Sequence, residues 1–211
     1  VTPWVLAARD AGATVRQIDI HLEDCTLDLD SFARQLSQRT RLVAVGYASN
    51  ATGTINPVAR IVAQAQAVGA ITFVDAVHYA PHGLIDVQAL GCDFLVCSAY
   101  KFFGPHVGLL YGRRRLLESI VPYKLRPSPE TVPDRWMTGT QNHEGIAGTT
   151  AAIDYLADIG RRDVPDGTRR DQLRAAFDQI VSYEQMLVRP LLERLVNHPE
   201  IRVWGITDPA R

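Results

Sequence analysis

Short apolar runs, rich in β-branched residues, recur along the chain and predict a series of buried strands. They occupy residues 13–20, 42–47, 71–76, 94–98 and 107–111. All but the first, which includes Arg16, Gln17 and Asp19, are apolar at nearly every position, as is typical of strands covered on both faces in a parallel sheet. Residues 84–91 separate two of these runs and predict a short crossover helix with Asp86 as its N-cap. The pattern therefore predicts an α/β fold with right-handed βαβ connections.

Helical signals fill much of the remaining sequence. One helix is predicted to have Thr2 as its N-cap and to end at Gly12, and another to begin at Asn56 and end at Gly69. A third helix, rich in small residues, is predicted at 144–159. Helices of this length fit between the strands as the covering layers of an α/β fold.

The C-terminal part of the chain has the apolar spacing of a long amphipathic helix. Apolar residues recur at helical intervals between Leu173 and Leu195. Pro190 is expected to kink or break this helix, because proline lacks an N–H and clashes with the preceding turn. Residues 161–167 predict a linker before the helix, and residues 201–204 predict the first strand of another sheet.

Composition and charge argue against several classes of function. A formal net charge of −1 suggests no basic surface for a nucleic acid. No apolar stretch approaches the roughly 18 residues that a membrane span needs. Cys25, Cys92 and Cys97 show no metal-binding spacing and are typical of reduced thiols in a cytoplasmic protein. The glycine-rich G-x-G-x-x-G motif of dinucleotide-binding domains is missing.

Lys101 is the most informative candidate for chemistry. It follows the apolar run 94–98 and precedes two aromatic residues and a Gly-Pro pair, so it is expected on a tight turn walled by apolar groups. Desolvation there would disfavour the ammonium form, and a neutral lysine amine can attack an aldehyde to form a Schiff base. A solvent-exposed lysine that simply follows a strand is the alternative.

Asp75 lies at the end of the neighbouring apolar run 71–76. Because the carboxyl ends of parallel strands meet at one edge of a sheet, Asp75 and Lys101 are expected to face one pocket. The two side chains could form a simple ion pair. They also provide what pyridoxal phosphate (PLP) needs, namely a lysine for its aldehyde and a carboxylate that keeps its pyridine nitrogen protonated.

Residues 74–101, which read VDAVHYAPHGLIDVQALGCDFLVCSAYK, resemble the class V aminotransferases, and specifically their cysteine-desulfurase-like branch. The resemblance covers nearly the whole chain and includes ASNATG at 48–53 and TGTQN at 138–142. It implies a PLP-dependent transferase fold of the aspartate-aminotransferase type. The large domain would have a mainly parallel sheet, with 107–111 as an antiparallel strand, and a small α+β C-terminal domain would follow.

The resemblance also implies roles for three polar residues near the strand ends. Ser98 corresponds to a serine that binds the cofactor phosphate. His78 stands where desulfurases usually carry a glutamine that bonds the ring hydroxyl, and Asn50 corresponds to a residue that reaches the same hydroxyl. From the sequence by itself each could instead stabilise a turn, with Ser98 and His78 satisfying backbone groups and Asn50 forming a loop.

Three further residues are expected at the cofactor by the same resemblance. Val77 would pack beneath the pyridine ring, and Tyr100 replaces the histidine that usually precedes the lysine. Thr140 corresponds to a threonine that crosses to the cofactor phosphate of a partner subunit, which implies an obligate homodimer with a shared active site. A polar turn before a helix is the alternative for Thr140.

The implied domain organisation and reaction complete the expectations. Residues 1–160 would form the PLP-binding large domain without its N-terminal part, and residues 161–211 a linker helix and the beginning of the small domain. Lys101 would form an internal aldimine and act on an amino acid. The desulfurase's nucleophilic cysteine and the carboxylate-binding arginine would lie beyond Arg211, so an aminotransferase or lyase without desulfurase activity stays open. A non-catalytic relative that retains the fold is a further alternative.

Overall fold

The computed structural model describes residues 1–137 and 139–208, which form a sheet flanked by helices. Strands β1 (Leu42–Gly46), β2 (Ile71–Asp75), β3 (Phe94–Ser98) and β4 (Gly108–Gly112) follow one another across the sheet. The first three are parallel, and β4 is antiparallel to β3. The mainly parallel α/β architecture predicted from the sequence is confirmed, including the antiparallel strand.

Helices connect and cover these strands. They are α1 (Thr2–Asp10), α2 (Leu29–Gln35), α3 (Val58–Ala67), α4 (Val87–Leu90), α5 (Arg114–Ser119), α6 (His143–Arg161) and α7 (Arg169–Val196), with short 3₁₀ helices at Ala99–Phe102 and Asp134–Trp136. Within the described residues, none of the helices combines the length and hydrophobicity needed to span a bilayer.

The core consists of two clusters of buried apolar side chains. In the first, Val58 and Val62 of α3 pack with Val74 of β2 and Leu95 of β3. In the second, α6 and α7 pack against the 3₁₀ helix Ala99–Phe102. The second cluster therefore holds the turn that carries Lys101 against the helical layer. Its buried members are Ala80, Ala99, Phe102, Ala152, Leu156 and Phe177.

Two predicted strands are not strands in the structure. Residues 13–20 form only one isolated bridge, between Ile20 and Leu27, and residues 201–204 form none. A strand requires a neighbouring strand to accept and donate its backbone hydrogen bonds, and no described segment provides one beside either stretch. Within this stretch Val15 and Ile20 stay exposed, so it is not the buried strand that was predicted.

Helix boundaries differ from the predicted ones by a residue or two. The N-caps are Val1 and Pro57 rather than Thr2 and Asn56, and Asn56 instead donates its side-chain N–H to Gly46 O at 2.9 Å. The Asp86 cap is confirmed, because its carboxylate accepts from the N–H groups of Gln88 and Ala89. These shifts change which group caps a helix and leave the order of elements as predicted.

Pro190 does not break α7, which continues from Arg169 to Val196. Only one intrahelical donor is lost at a proline, and the capping box of Thr168 and Asp171 fixes the start of this helix. Of the two predicted outcomes, a kink or a break, the break is therefore wrong. The predicted apolar face packs on α6 only in the N-terminal half, where Ala176 and Phe177 are buried.

Gly160 sets the close approach of α6 and α7, so we expect Gly160→Ala to destabilise the protein. A Cβ at this position would overlap Gln172 O and lie 2.6 Å from Ala176 N, which are backbone atoms that cannot move separately. Overpacking of this kind costs roughly 1–3 kcal/mol. Urea unfolding measures the loss, with Gly108→Ala as the control, because its Cβ would meet nothing within 4 Å. Equal stability of the two variants would contradict the packing described here.

Candidate active site

The carboxyl ends of β1, β2 and β3 lie side by side, and this edge carries most of the predicted site residues. In the parallel register Gly46 is opposite Asp75, and Asp75 is opposite Val96. The pairing continues at the edge, where the N–H of Tyr47 donates to Asp75 O at 2.7 Å. Strand β3 runs two residues further, to Ser98. The sequence-based expectation that these strand ends meet is confirmed.

Lys101 lies on the 3₁₀ turn that follows β3. The turn is closed by Phe103 in the left-handed conformation (φ 69°) and by the N–H of Gly104, which donates to Ala99 O at 2.8 Å. A side chain at Gly104 would press against Ala99, with its Cβ 2.9 Å from the Ala99 Cβ. Lys101 itself is half-buried between the buried residues Ala99 and Phe102. The predicted apolar turn is present, although the lysine is not fully enclosed.

A cavity of about 370 Å³ opens beside Lys101. Its lining combines an amine, two imidazoles and a carboxylate with apolar and aromatic side chains. The lining residues are His78, Pro81, His82, Lys101, Phe103, Tyr155, Ile159, Ile180 and Glu184. Burial lowers the pKa of His78, and the nearby His82 and Lys101 add to the effect. His78 is therefore biased towards its neutral form beside Lys101.

Asp75 lies at the same edge of the sheet but does not line this cavity. Its Oδ1 accepts a hydrogen bond from Val77 N–H at 3.0 Å, while the side chain remains exposed. Within the described residues, neither Asp75 nor Lys101 takes part in an ion pair. The alternative of a simple Asp75–Lys101 ion pair is thus not what the structure shows. The half-buried Val77 follows directly in the loop after β2.

The other predicted polar residues are accessible at the ends of their elements. Ser98 is the half-buried last residue of β3, opposite Gly108. Asn50 is exposed in a turn that the Ser49 hydroxyl stabilises by accepting backbone N–H groups. Thr140 is exposed just before α6, whereas Thr138 of the same motif lies outside the described residues. Ser98 and Asn50 therefore lie at the same edge of the sheet, and Thr140 lies in a separate loop.

Tyr100 contacts His106, a residue that was not predicted to belong to the site. Its ring stacks on His106 with the centroids 5.0 Å apart, and Lys101 Nζ lies 5.3 Å from the Tyr100 ring centroid. An ammonium at that distance over an aromatic face is attracted by the ring quadrupole. His106 was a loop histidine without ligand spacing in the sequence, and nothing there indicated its partner.

The loop that carries Val77 and His78 is held by a second aromatic pair that the sequence did not indicate. Tyr79 stacks on Tyr47 with centroids 3.8 Å apart, and a side chain at Gly83 would overlap the Tyr79 ring. Burial, together with the neighbouring Tyr79, raises the pKa of Tyr47 to about 12, so the Tyr47 phenol stays neutral. This stack fixes the loop at the carboxyl end of β2.

The donor set at this edge matches a phosphorylated aromatic aldehyde. Lys101 supplies an amine for the aldehyde, Asp75 an unpaired carboxylate oxygen for a ring N–H, and Ser98 a hydroxyl donor for a phosphate. His78 and Asn50 supply groups able to bond a ring hydroxyl. These are the functional groups that PLP requires, so the residues present fit this cofactor.

Comparison with known families and curated proteins shows the family to which the chain belongs. The model of the family described as aminotransferase class-V matches residues 1–210. A cysteine desulfurase of Pectobacterium carotovorum is 35% identical over 97% of this chain, and one of Salmonella choleraesuis is 37% identical over 97%. The matches cover 49% and 50% of those relatives, so the chain spans about half of their length.

Solved structures of cysteine desulfurases have the same fold as this chain. A cysteine desulfurase of Escherichia coli superposes with a TM-score of 0.78 at 28% identity, over 99% of this chain and 51% of that one. An apo cysteine desulfurase of Thermococcus onnurineus superposes with a TM-score of 0.82 at 26% identity, over 100% of this chain and 51% of that one.

Proposed function

Because the chain belongs to the class-V aminotransferase family, whose members are PLP-dependent, we propose that it is the cofactor-binding part of an enzyme that acts on an amino acid. The observation that carries the proposal is the position of Lys101 and Asp75 at the same edge of the sheet. Asp75 ends β2, and Lys101 lies on the turn that follows the adjacent parallel strand β3. Neither side chain is engaged in an ion pair within the described residues. An amine and a carboxylate left available at one edge fit the two ends of a PLP ring.

We assign a different part of the cofactor to each of Lys101, Asp75 and Ser98. Lys101 would hold the cofactor's aldehyde, and Asp75 its ring nitrogen, using the carboxylate oxygen that does not accept from Val77. Ser98 would donate to the phosphate. When bound, PLP supplies an electron sink that stabilises negative charge on the substrate. Asp75 keeps that sink effective because a carboxylate favours the protonated ring nitrogen.

The remaining assigned residues would orient the ring. Val77 follows Asp75 and offers an apolar surface, while His78 and Asn50 would bond the ring hydroxyl. Tyr100 would stand beside Lys101 with a neutral phenol in place of an imidazole. Lys101, once exchanged for substrate, would move protons at the reacting carbon.

A cysteine-desulfurase-like reaction is the first candidate because the curated relatives carry that name. A desulfurase needs a nucleophilic thiolate. Burial raises the pKa of both Cys92 and Cys97, which disfavours their thiolates. These two cysteines are therefore not the nucleophile, which the family resemblance places beyond Arg211. Tyr100, in place of the histidine that usually precedes the lysine, favours as a second candidate an aminotransferase or lyase without desulfurase activity.

We extend the proposal to domains, assembly and location. Residues 1–160 would belong to the large domain, and 161–211 to the linker helix and the beginning of a small domain, since α6 ends at Arg161 and α7 begins at Arg169. The exposed Thr140 is accessible to a partner subunit, which supports a homodimer with shared sites. Cys25, Cys92 and Cys97 are free, which supports a cytoplasmic location.

The test is absorbance spectroscopy of the protein at its full natural length with PLP. We expect a visible band from covalently held cofactor, lost on borohydride reduction, with the label recovered on Lys101. Sulfide release from cysteine would identify a desulfurase, and formation of a keto acid without sulfide would identify the second candidate. A protein that binds no PLP, or labels elsewhere, would be a non-catalytic relative and would contradict the proposal.

A further inference from the structure

Two lining residues of the cavity beside Lys101 form a hydrogen-bonded pair across two elements. His82 Nδ1 lies 2.9 and 3.0 Å from the two carboxylate oxygens of Glu184. His82 belongs to the loop after β2, and Glu184 to α7, which is 102 residues away in sequence. An ionised carboxylate can only accept, so Nδ1 carries the proton and donates it. When the ring carries no second proton, its Nε2 is left as an acceptor.

The cavity around this pair is lined by groups of both charge signs. The titratable groups facing His82 are His78 from its own loop, Lys101 from the 3₁₀ turn, Tyr155 from α6 and Glu184 from α7. His78 is biased towards its neutral form, because burial lowers its pKa. Among the described residues that line the cavity, Glu184 is the one with a negative charge. It is therefore the group that attracts an ammonium ion.

We propose that His82 and Glu184 form a catalytic dyad that takes the proton from the α-ammonium group of the incoming amino acid. This inference rests on the proposed function. An ammonium nitrogen has no lone pair, so it must lose a proton before it can act as a nucleophile. The N–H bond breaks and its electron pair stays on the substrate nitrogen, while the proton bonds to His82 Nε2.

The dyad can release this proton again. The resulting imidazolium donates from Nδ1 to the Glu184 carboxylate in a charge-assisted hydrogen bond, the arrangement that carboxylate–histidine pairs use in general base catalysis. The side chains of His82 and Glu184 are 41% and 40% exposed, so the proton passes to water and the ring returns to its neutral form.

The exposure also makes the pair suitable for mutagenesis. Ion pairs accessible to water contribute little to folding, so removing one partner leaves the fold intact. Glu184→Gln keeps the shape of the side chain and removes its charge, and His82→Asn removes the base. Glu193→Gln makes the same chemical change on the same helix and is the matched control.

The experiment is a stopped-flow measurement of the spectral change when the amino acid is mixed with holoenzyme at full natural length. At neutral pH we expect Glu184→Gln and His82→Asn each to slow this change about a hundredfold, the scale of general base catalysis. Above the pKa of the substrate's own ammonium group, both should recover to within a few-fold of wild type. PLP binding and the Glu193→Gln control should be unchanged.

A second readout does not depend on activity. Side-chain ¹⁵N shifts of the apoprotein report which imidazole nitrogen is protonated, and we expect the Nδ1–H form for His82 in wild type and a mixture in Glu184→Gln. A rate deficit that is equal at all pH values, or no deficit, overturns the dyad. A wild-type holoenzyme that reacts with no amino acid overturns the proposed function and the dyad with it, whereas reactive wild type with unaffected variants overturns only the dyad.

Discussion

Replacing Lys101 by alanine is expected to abolish covalent capture of PLP and to lower turnover by at least about a thousandfold, since both the nucleophile and a proton carrier are lost. The structure gives no reason for this variant to misfold. Lys101 is half-buried, and within the described residues it forms no ion pair whose loss would leave a buried charge unpaired. Its packing neighbours Ala99 and Phe102, which anchor the turn, are unchanged.

Two control variants distinguish the loss of the nucleophilic amine from the loss of a positive charge. Lys101→Arg keeps a cation on the turn, but a guanidinium stays protonated and cannot attack the aldehyde, so we expect it to be as inactive as alanine. Lys124→Ala removes a lysine that pairs with Glu130 in a distant loop and should retain the cofactor band. Absorbance, borohydride labelling and turnover are measured together. Normal turnover by purified Lys101→Ala would show that another group holds the cofactor.

Local sequence signals predicted the elements that position this site. The spacing of Ile61, Val62, Ala65 and Val68 predicts the apolar face of α3; the first three are buried, and Val68 is half-buried just past the end of the helix. Gly69 and Gly91 take the left-handed conformation that helix ends favour. Such signals are strong because each depends on neighbours within a few residues. They were enough to place Asp75 at the end of β2 and Lys101 on the turn after β3.

Sequence patterns did not predict the features that depend on a contact with a residue far away in the chain. Residues 13–20 have the composition of a strand, but pairing depends on a neighbour that composition cannot identify. The contact of His82 with Glu184 spans 102 residues, and the stack of Tyr100 on His106 depends on how the turn after β3 folds back. No periodicity marks such contacts, so they emerge only from the tertiary structure.

Asp75→Asn tests the second half of the site without disturbing its geometry. The amide oxygen of asparagine can still accept from Val77 N–H, the one hydrogen bond that the Asp75 side chain makes among the described residues. The backbone pairing with Tyr47 is also retained. What changes is the charge, because an amide does not hold a protonated ring nitrogen as a carboxylate does. Covalent capture of PLP by Lys101 should therefore survive in this variant.

Turnover of Asp75→Asn should nevertheless fall by about a hundredfold or more, which corresponds to roughly 3 kcal/mol of transition-state stabilisation. The loss is expected in kcat rather than in PLP affinity, because the carboxylate acts on the electron-withdrawing power of the ring during reaction. Steady-state kinetics beside a PLP titration make the distinction. Asp10→Asn, an exposed aspartate on α1 that pairs with Arg9, is the matched control and should behave as wild type. An Asp75→Asn enzyme within a few-fold of wild type would mean that this carboxylate only orders the loop after β2.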